Sequence, residues 1–470
     1  MRVSPAAWAE RILPSSVHIR ARPHLARLET ILNGTDDRDG AQRQALVVFA
    51  IRVMGALLAY VSQMILARLM GGHEYGIFVV VWTLVVIFGI ISPLGFSSSV
   101  VRLIPEYRER GNHAALNGLL KGSPLFGLAS ASLIAGLGCL GIWLFGDFVT
   151  SYYVLPLYLA AICLPLFTFG SIQDGIARAN DWMLTAILPT FIWRPLAILA
   201  GMLAAVALGA PATAETACLV AIAATWGVAV IQMLVLQRRL KGVTTPEKPS
   251  YPVGNWLAIS LPILLVEGFF QLITSADVVM VSFWRPPDEA AVYFAASKTL
   301  ALAHFVYFAV RSATAHRYSR LYHSNDRQAL AALVADTARW TFWPTLALGI
   351  ALLIAGPLLL ALFGPGFEAG YPVLAILMVG VMARASVGPV DALLTMADQH
   401  KRCAAVYAAT FALNVAFNIL LIPRFGIMGA GVATAAAMVF EATALYHQAR
   451  ARLDLHTFAF HRPPSREAGR

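Results

Sequence analysis

The sequence is poor in charged residues and in cysteine, and each shortage excludes a class of protein. Charged residues make up only 13% of the 470 residues, against roughly 25% in an ordinary soluble domain. The four cysteines lie far apart and form no CxxC pair, so neither a disulfide framework nor a thiolate metal site is predicted. The sequence also contains no HExxH motif and no P-loop of the type GxxxxGKS or GxxxxGKT. We therefore expect no ATP hydrolysis, no metal and no cofactor.

Apolar residues are correspondingly abundant, at 59% of the chain with a mean hydropathy of +0.69. A soluble protein of this composition would have too few polar residues to cover its surface. The sequence therefore predicts a polytopic membrane protein. The first 40 residues contain no long apolar run, so we expect no cleavable signal peptide and expect the first spanning helix to direct insertion.

Twelve apolar runs are long enough to cross a bilayer, which requires roughly 20 residues. They lie near residues 44–70, 76–101, 116–145, 153–172, 182–208, 214–236, 255–283, 291–312, 339–363, 371–397, 402–422 and 427–448. The connections that follow the odd-numbered spans are too short to form a domain. We therefore expect the protein to act within the membrane.

The distribution of lysine and arginine gives the orientation, because cytoplasmic loops carry an excess of these residues. Of the 35 lysines and arginines, 28 fall in the N-terminal segment, the even-numbered connections and the C-terminal tail, and only Arg68, Arg285 and Arg424 fall on the other side. This bias predicts that both termini are cytoplasmic and that the number of spans is even. It also accounts for the isoelectric point of about 9.6 without a nucleic-acid partner.

Two pairs of short segments recur at nearly the same offset and predict an internal repeat. MGGHEYGIF at 70–78 has a counterpart 215 residues later, RPPDEAAVY at 285–293, and Phe145-Gly146 corresponds to Phe363-Gly364. Each half would hold six helices, with the substrate path between the halves. The predicted division is a cytoplasmic N-terminal segment at 1–43, a six-helix bundle at 44–236, a cytoplasmic linker at 237–254, a second six-helix bundle at 255–448 and a cytoplasmic tail at 449–470.

Four motifs in consistent order carry a resemblance to a known family. They are LARLMGGHEYGIF at 66–78, LGFSSSVVR at 94–102, FGPGF at 363–367 and NVAFNILLIPRFGIMGAGVAT at 414–434. In these motifs the chain resembles the polysaccharide transporter family, the Wzx-type flippases of lipid-linked oligosaccharides within the multidrug/oligosaccharidyl-lipid/polysaccharide exporter superfamily. The likeness extends over most of the chain and departs at Ala290-Ala291, where the family usually has glycine before an aromatic residue.

The resemblance implies an all-α fold with about twelve transmembrane helices in two six-helix bundles around a central cavity. It implies transport without covalent chemistry, so an enzyme is not expected. The implied substrate is an undecaprenyl-diphosphate-linked oligosaccharide, moved across the bacterial inner membrane for O-antigen, capsule or exopolysaccharide assembly. Membrane lipids, a glycan polymerase and export machinery are the implied partners.

Basic residues at membrane depth are the candidate substrate-binding groups, because ionisable side chains there are costly and usually functional. At 1.5 Å per residue, Arg52 and Lys298 lie about 12 and 10 Å into their spans, and Arg194 and Arg384 about 18 and 20 Å. Cations around a water-filled cavity would offset the desolvation of the diphosphate that the resemblance implies. Arg311, near the cytoplasmic end of its span, could meet the diphosphate first or only mark the inner surface. For each of the others the alternative is pairing with a buried carboxylate or reaching an interface.

Acidic residues within the spans are candidates for coupling transport to a proton or ion gradient, and we single out Glu267, Asp277 and Asp391. A buried carboxylate can take up a proton and so carry it across the membrane. Glu267 could instead form a salt bridge with Arg52 or Lys298. Asp277, toward the outer end of its span, could instead have an interfacial or gating role.

Two other functions stay open from the sequence. A cation-coupled exporter of the related multidrug branch should have an acidic and aromatic cavity, whereas basic residues are at least as prominent here. A membrane polymerase or ligase of the same glycans would need a sizeable periplasmic loop, and the predicted outer connections are too short to provide one.

Overall fold

The computed structural model describes residues 37–243, 246–324, 326–397 and 399–461, with the backbone alone at 37–46 and at His400. The regular elements within these ranges are helices, which confirms the predicted all-α class. They are α1 (Asp37–Ile91), α2 (Phe96–Glu109), α3 (His113–Phe145), α4 (Ser151–Ala179), α5 (Met183–Leu188), α6 (Arg194–Ala207), α7 (Ala214–Leu240), α8 (Val253–Trp284), α9 (Pro287–His323), α10 (Arg327–Ala361), α11 (Tyr371–Val387), α12 (Val390–Met396) and α13 (His400–Leu453). Most of the predicted N-terminal segment 1–43 lies outside the described residues.

Two of the helices are too long to cross a bilayer once. α1 has 55 residues and α13 has 54, so each would be about 80 Å long if straight, against a hydrocarbon core of about 30 Å. Both bend at a glycine with a positive φ, 79° at Gly71 and 58° at Gly426, which other residues rarely adopt. Each bend separates two arms that can cross independently. Each of the two bent helices can cross twice, so the ten long apolar segments of the described chain accommodate the twelve predicted spans. The prediction of a polytopic membrane protein is confirmed.

Three predicted spans contain an interruption. The second is broken between α1 and α2, where Gly95 has a φ of 80°. The fifth contains a π-helical turn, Pro189–Trp193, between α5 and α6. The tenth is broken between α11 and α12, where Gly388 has a φ of 69°. Glycine permits the positive φ and proline lacks the N–H that would continue the helix, so the local sequence explains each break.

The connections that follow odd-numbered spans meet on one side of the bundle, which we call the short-loop side. His73, just after the α1 bend, has its ring centroid 5.3 Å from that of Tyr152. Its Nδ1 atom lies 3.2 Å from Asp288 Oδ2. The neighbouring Glu74 accepts a hydrogen bond of 2.7 Å from the N–H of Ala214. Four connections that are distant in sequence are therefore adjacent in space.

Two further contacts add the remaining short connections to this side. Arg68 Nε donates to the Leu362 carbonyl at 2.6 Å, which ties the end of α10 to the first arm of α1. A Cβ atom on Gly426 would lie 3.3 Å from Arg285 Nε, so the α13 bend lies beside the junction of α8 and α9. Alternate crossings therefore return to the same side, as the charge pattern predicts. We call the opposite side, which carries the connections α2–α3, α4–α5 and α7–α8, the basic side.

Contact between the first half (α1–α7) and the second half (α8–α13) follows a seam in which α1 packs against α8 and α9, and α2 against α8. The two repeated segments themselves meet there. A Cβ atom on Gly76 would lie 1.9 Å from the Pro287 carbonyl oxygen, so only glycine allows this approach. Gly71 and Pro286, which are 215 positions apart, both interrupt a helix at this seam. The residue boundaries of the two predicted bundles stay a prediction.

Candidate functional site

Asp277, on α8, is buried among neutral hydrogen-bond donors, with 4% of the residue exposed. Its Oδ1 atom accepts from Asn418 Nδ2 at 2.9 Å. Its Oδ2 atom accepts from Thr434 Oγ1 at 2.5 Å and from Tyr293 Oη at 3.2 Å. Within the described chain no basic side chain lies in ion-pair range of this carboxylate. Asp277 is therefore a buried acid with three hydrogen bonds and no charge partner.

The bend in α13 assembles this cluster. Asn414 and Asn418 are four residues apart in the first arm, so they share one face of the helix. Thr434 lies in the second arm, which folds back so that Asn414 Nδ2 is 3.4 Å from Thr434 Oγ1. Asn418 Nδ2 also lies 3.1 Å from Asn414 Oδ1. Polar groups from α8, α9 and both arms of α13 thus converge on Asp277.

The composition of this cluster suits a proton or a small monovalent cation. Its ligand atoms are oxygens of carboxylate, hydroxyl and amide groups, which hard cations prefer. Asn418 Oδ1 is buried and has no hydrogen-bond partner among the described residues, so it is available as a further ligand. An ionised carboxylate at this depth needs a compensating positive charge, and a bound proton or cation would supply it.

Arg384, predicted to line the cavity, is buried in this structure. It is 4% exposed, and its Nη2 atom lies 3.2 Å from Oε1 of Glu441, which is 1% exposed. Its guanidinium carbon lies 4.7 Å from the ring centroid of Tyr307 and 5.5 Å from that of Phe270. The last turn of α11, which ends at Val387, is buried against α13. A substrate-binding role for Arg384 stays a prediction. Arg384 is a partner in a buried ion pair, not an exposed cation.

Arg311 and Asp391 were predicted for different roles and form one ion pair. Arg311 Nε donates to Asp391 Oδ2 at 2.8 Å, and Tyr307 Oη donates to Asp391 Oδ1 at 2.5 Å. Asp391 lies at the start of α12 and is buried, whereas 45% of the Arg311 side chain is exposed. Asp391 therefore has the charge compensation that Asp277 lacks. Arg311 keeps an exposed edge that could still contact an anion.

Arg194 is also buried, directly after the π-helical turn, and its cavity role stays a prediction. Its guanidinium carbon lies 4.5 Å from the ring centroid of Phe167. The neighbouring carboxylate is Asp174, which accepts hydrogen bonds of 2.6 Å from both Thr190 and Gln232. Sequence reasoning missed Asp174 because the fourth predicted span stopped short of it, while α4 continues past it.

Arg52 and Lys298 are exposed and have no carboxylate within ion-pair range in the described ranges of the chain. Arg52 lies on the first arm of α1, with its guanidinium carbon 5.7 Å from the Phe191 ring centroid. Lys298 lies on α9, the helix that packs against α1. The next residue, Thr299, has its hydroxyl 2.9 Å from that of Tyr60 on α1, which places Lys298 at the seam.

Arg178 lies beside Arg52, although the charge pattern had only placed it on the inner surface. The two guanidinium groups are close enough to repel each other electrostatically. Arg178 Nη2 donates to the Ser97 carbonyl at 3.0 Å, and Nε lies 3.4 Å from the Asp174 carbonyl oxygen. Two neighbouring guanidinium groups with no carboxylate of the described residues in ion-pair range would favour a bound anion.

Glu267 forms neither of the salt bridges that the sequence left open. Its Oε1 atom accepts a hydrogen bond of 2.6 Å from Ser98 Oγ on α2. One residue further, the hydroxyls of Ser99 and Ser260 are 2.6 Å apart. The serine run that formed part of the family resemblance thus joins α2 to α8 across the seam.

Sequence reasoning missed the neutral partners of Asp277. Asn414 and Asn418 were noticed only as part of a family motif. Two amides spaced by four residues in an apolar helix already carry a signal, because polar side chains at membrane depth need a partner on the same face. Thr434 and Tyr293 carried no comparable signal.

A family described as polysaccharide biosynthesis protein matches residues 41–315 of the chain. The chain belongs to this family. The chain also resembles a protein of Haloferax volcanii that is described as a probable low-salt glycan biosynthesis flippase, Agl15. The two are 22% identical over 401 residues, which cover 84% of this chain and 80% of the relative.

Solved structures of transporters share the fold. The inward-facing conformation of a multidrug resistance MATE family transporter of the MOP superfamily superposes with a TM-score of 0.71 at 15% identity, covering 86% of this chain and 98% of that one. The lipid II flippase MurJ in an inward closed conformation gives 0.65 at 14% identity, covering 86% and 87%. At these identities the likeness establishes the fold. The chain therefore has the fold of these transporters, and the proteins that it resembles are described as flippases or transporters, not as enzymes.

Proposed function

We propose that this protein is a flippase that moves a lipid-linked oligosaccharide across the membrane by alternating access. The family and its glycan-flippase relative support a glycan intermediate as the cargo. The specific cargo we propose is an undecaprenyl-diphosphate-linked repeat unit for O-antigen, capsule or exopolysaccharide in a bacterial inner membrane. The basic side then faces the cytoplasm together with both termini. After release, the unit would pass to a glycan polymerase and export machinery.

The observation that carries an anionic cargo is that two cations within the predicted spans, Arg52 and Lys298, are exposed. Arg52 lies on α1 and Lys298 on α9, two of the helices that pack at the seam, and neither is neutralised by a carboxylate of the described chain. Arg178 adds a second guanidinium beside Arg52. A diphosphate crossing the bilayer would gain charge-assisted hydrogen bonds there. The cationic cargo of a multidrug exporter would be repelled.

Coupling is proposed to reside at Asp277. Of the predicted coupling residues, Asp391 has a cation partner and Glu267 holds a hydrogen bond across the seam. Asp277 alone of the three is deeply buried without a charge partner in the described chain. Binding of a proton or cation there would neutralise a carboxylate held by α8, α9 and both arms of α13. Because α8 and α9 also form the seam, occupancy could bias the relative position of the halves.

The proposal is tested by deleting the gene and following lipid-linked repeat units in the two leaflets. We expect the units to accumulate on the cytoplasmic face and surface glycan to be lost. Plasmid-borne wild type should restore export, whereas Arg52→Ala and Lys298→Ala should not, although both should still insert. Arg238→Ala and Lys241→Ala at the basic end of α7 are matched controls, because they remove the same charges away from the seam.

The alternative functions predict different results. Altered drug sensitivity with normal glycan would favour a multidrug exporter. If the deletion leaves repeat units that reach the outer face but are not polymerised, the protein would instead be the membrane polymerase. Full export by both Arg52→Ala and Lys298→Ala would contradict the role of the exposed cations, even if the deletion phenotype supported a flippase.

A further inference from the structure

The FGPGF motif at 363–367 forms the connection that follows α10, and it is packed against α1. Phe363 and Phe367 are both fully buried. The ring centroid of Phe363 lies 5.5 Å from that of Tyr60 in the first arm of α1. The ring centroid of Phe367 lies 6.2 Å from that of Tyr75 in the second arm. A loop of the second half therefore contacts both arms of the bent helix of the first half, and we call residues 361–367 the docked loop.

Arg68, in the first arm of α1, holds the edge of the docked loop. Its Nε atom donates to the Leu362 carbonyl at 2.6 Å and its Nη2 atom to the Ala361 carbonyl at 3.2 Å. Both carbonyls lie at the C-terminal end of α10, where the helix dipole favours a positive charge. Two charge-assisted hydrogen bonds and an aromatic contact thus join the halves at this point.

The corresponding segment of the first half, Phe145-Gly146, is exposed instead. Phe145 is 61% exposed, whereas Phe363 is 0% exposed. A Cβ atom on Gly146 would meet nothing within 4 Å, whereas one on Gly364 would lie 4.0 Å from Arg68 Cγ. The same dipeptide at corresponding positions of the repeat is therefore docked in one half and free of such packing in the other. Docking is a property of the second-half loop and not of the Phe-Gly sequence itself.

We propose that the docked loop is the outer gate of the transporter and that Arg68 is its latch. This inference rests on the proposed alternating access, in which the halves separate on one side of the membrane at a time. The docked loop lies on the short-loop side, where it joins the second half to the first. Opening of the seam on that side requires the two Arg68 hydrogen bonds to break and Phe363 and Phe367 to leave α1. Weakening the dock should therefore favour the conformation that is open on the short-loop side.

Double electron–electron resonance of the full-length protein in nanodiscs measures this opening without any cargo. Nitroxides on Leu208→Cys and Arg424→Cys, both exposed on short connections of opposite halves, report the separation, in a background without the four native cysteines. We expect Arg68→Ala and Phe363→Ala each to raise the ratio of open to closed populations by about 3–10-fold. Phe145→Ala is the matched control, because it removes the same side chain from the corresponding loop, and it should leave the distances unchanged.

Two results of this measurement would overturn the gate. One is an unchanged distance distribution in both Arg68→Ala and Phe363→Ala. The other is an equal shift in Phe145→Ala, which would show that the loss of any phenylalanine on this side acts through general packing. Arg68→Lys and Phe363→Leu are milder changes in case an alanine variant does not fold, and they should shift the populations in the same direction by a smaller factor.

Locking the seam beside the docked loop gives an independent test. His73 Nδ1 and Asp288 Oδ2, from opposite halves, lie 3.2 Å apart. In the same cysteine-free background, His73→Cys with Asp288→Cys, bridged by a short bis-methanethiosulfonate reagent, should stop the flipping of a lipid-linked oligosaccharide in proteoliposomes. A reducing agent should restore it, and each single-cysteine variant treated in the same way is the control.

The cross-linking result separates the gate from the cargo. Continued flipping by the fully cross-linked protein would overturn the outer gate. A protein that moves no lipid-linked oligosaccharide before cross-linking would contradict the proposed cargo instead. The gate would then be decided by the distance measurement, which needs no cargo.

Discussion

Asp277 and Glu441 are both buried carboxylates of the second half, but their partners are opposite in kind. Asp277 accepts three hydrogen bonds and has no cation in the described part of the chain. Glu441 has Arg384 at 3.2 Å, and its Oε1 atom accepts no hydrogen bond there. Among the described residues, the first carboxylate therefore lacks charge compensation, and one oxygen of the second lacks a hydrogen bond. A carboxylate without a cation can exchange a proton or ion during transport, whereas a paired one mainly fixes α11 to α13.

Asp391 stands between these two cases, because it has both a cation and a hydroxyl donor. Arg311 and Tyr307 satisfy its two oxygens, and Arg311 remains partly exposed to solvent or substrate. The three carboxylates therefore form a series that can be tested by replacing each with its amide. We expect the loss of stability to fall from Glu441 through Asp391 to Asp277. The effect on coupling should run in the opposite direction.

The largest loss of stability is expected for Glu441→Gln. The amide removes the ion-pair partner of the buried Arg384 and leaves only the more distant Asp391 as counter-charge. Loss of one partner of a buried pair typically costs about 3–5 kcal/mol. The free energy of unfolding in detergent, followed through tryptophan fluorescence, measures this cost. The double variant Glu441→Leu with Arg384→Met removes both charges and should recover most of the loss. A neutral effect of Glu441→Gln would mean that Arg384 is compensated by another group.

A smaller loss is expected for Asp391→Asn. Its partner Arg311 has 45% of its side chain exposed and can be hydrated once the carboxylate is gone, so we expect about 1–3 kcal/mol. The same unfolding measurement applies, with Arg311→Gln in the Asp391→Asn background as the control that removes the orphaned cation. A loss as large as that of Glu441→Gln would show that exposure of Arg311 does not reduce the cost.

Asp277→Asn should leave stability within about 1 kcal/mol, because its hydroxyl partners can reverse direction to meet an amide. Transport should instead lose its response to the driving gradient. The measurement is flipping in proteoliposomes with an imposed proton or sodium gradient, compared with the same vesicles without one. Gradient-dependent flipping by Asp277→Asn would contradict its role as the coupling residue and would leave the flippase proposal intact.

Much of the fold could be predicted from hydropathy, because the number and length of apolar runs are set by bilayer thickness. The candidate charges could also be found, since an ionisable residue stands out in an apolar span. Their partners could not be predicted. Each residue turns a helix by about 100°, so an error of one residue in placing a span moves a side chain to another face. Arg384 and Glu441, on α11 and α13, could be paired only after both helices were placed.

The Asp277 cluster shows the same limit for hydrogen-bond partners that Arg384 and Glu441 show for an ion pair. Asp277 itself was visible in the sequence, and so was the amide spacing of Asn414 and Asn418. Nothing in the sequence showed that the bend at Gly426 folds Thr434 back onto the same point. The sequence therefore shows which acidic residues lie in the spans, but only the tertiary structure shows which of them pair with a basic side chain.

The smallest effect in the comparison is expected for Tyr293→Phe, which removes one of the three donors to Asp277. The lost hydrogen bond is long, at 3.2 Å, so we expect about 0.5–1 kcal/mol. Because that donor stabilises the ionised carboxylate of the empty site, its loss should favour the occupied site and lower the concentration of coupling ion needed for half-maximal flipping by about 2–5-fold. Tyr318→Phe is the matched control, since its hydroxyl contacts Thr337 away from the cluster. An equal shift in both variants would show that the change acts through general packing, and the neutral donors of Asp277 would then have no specific part in ion binding.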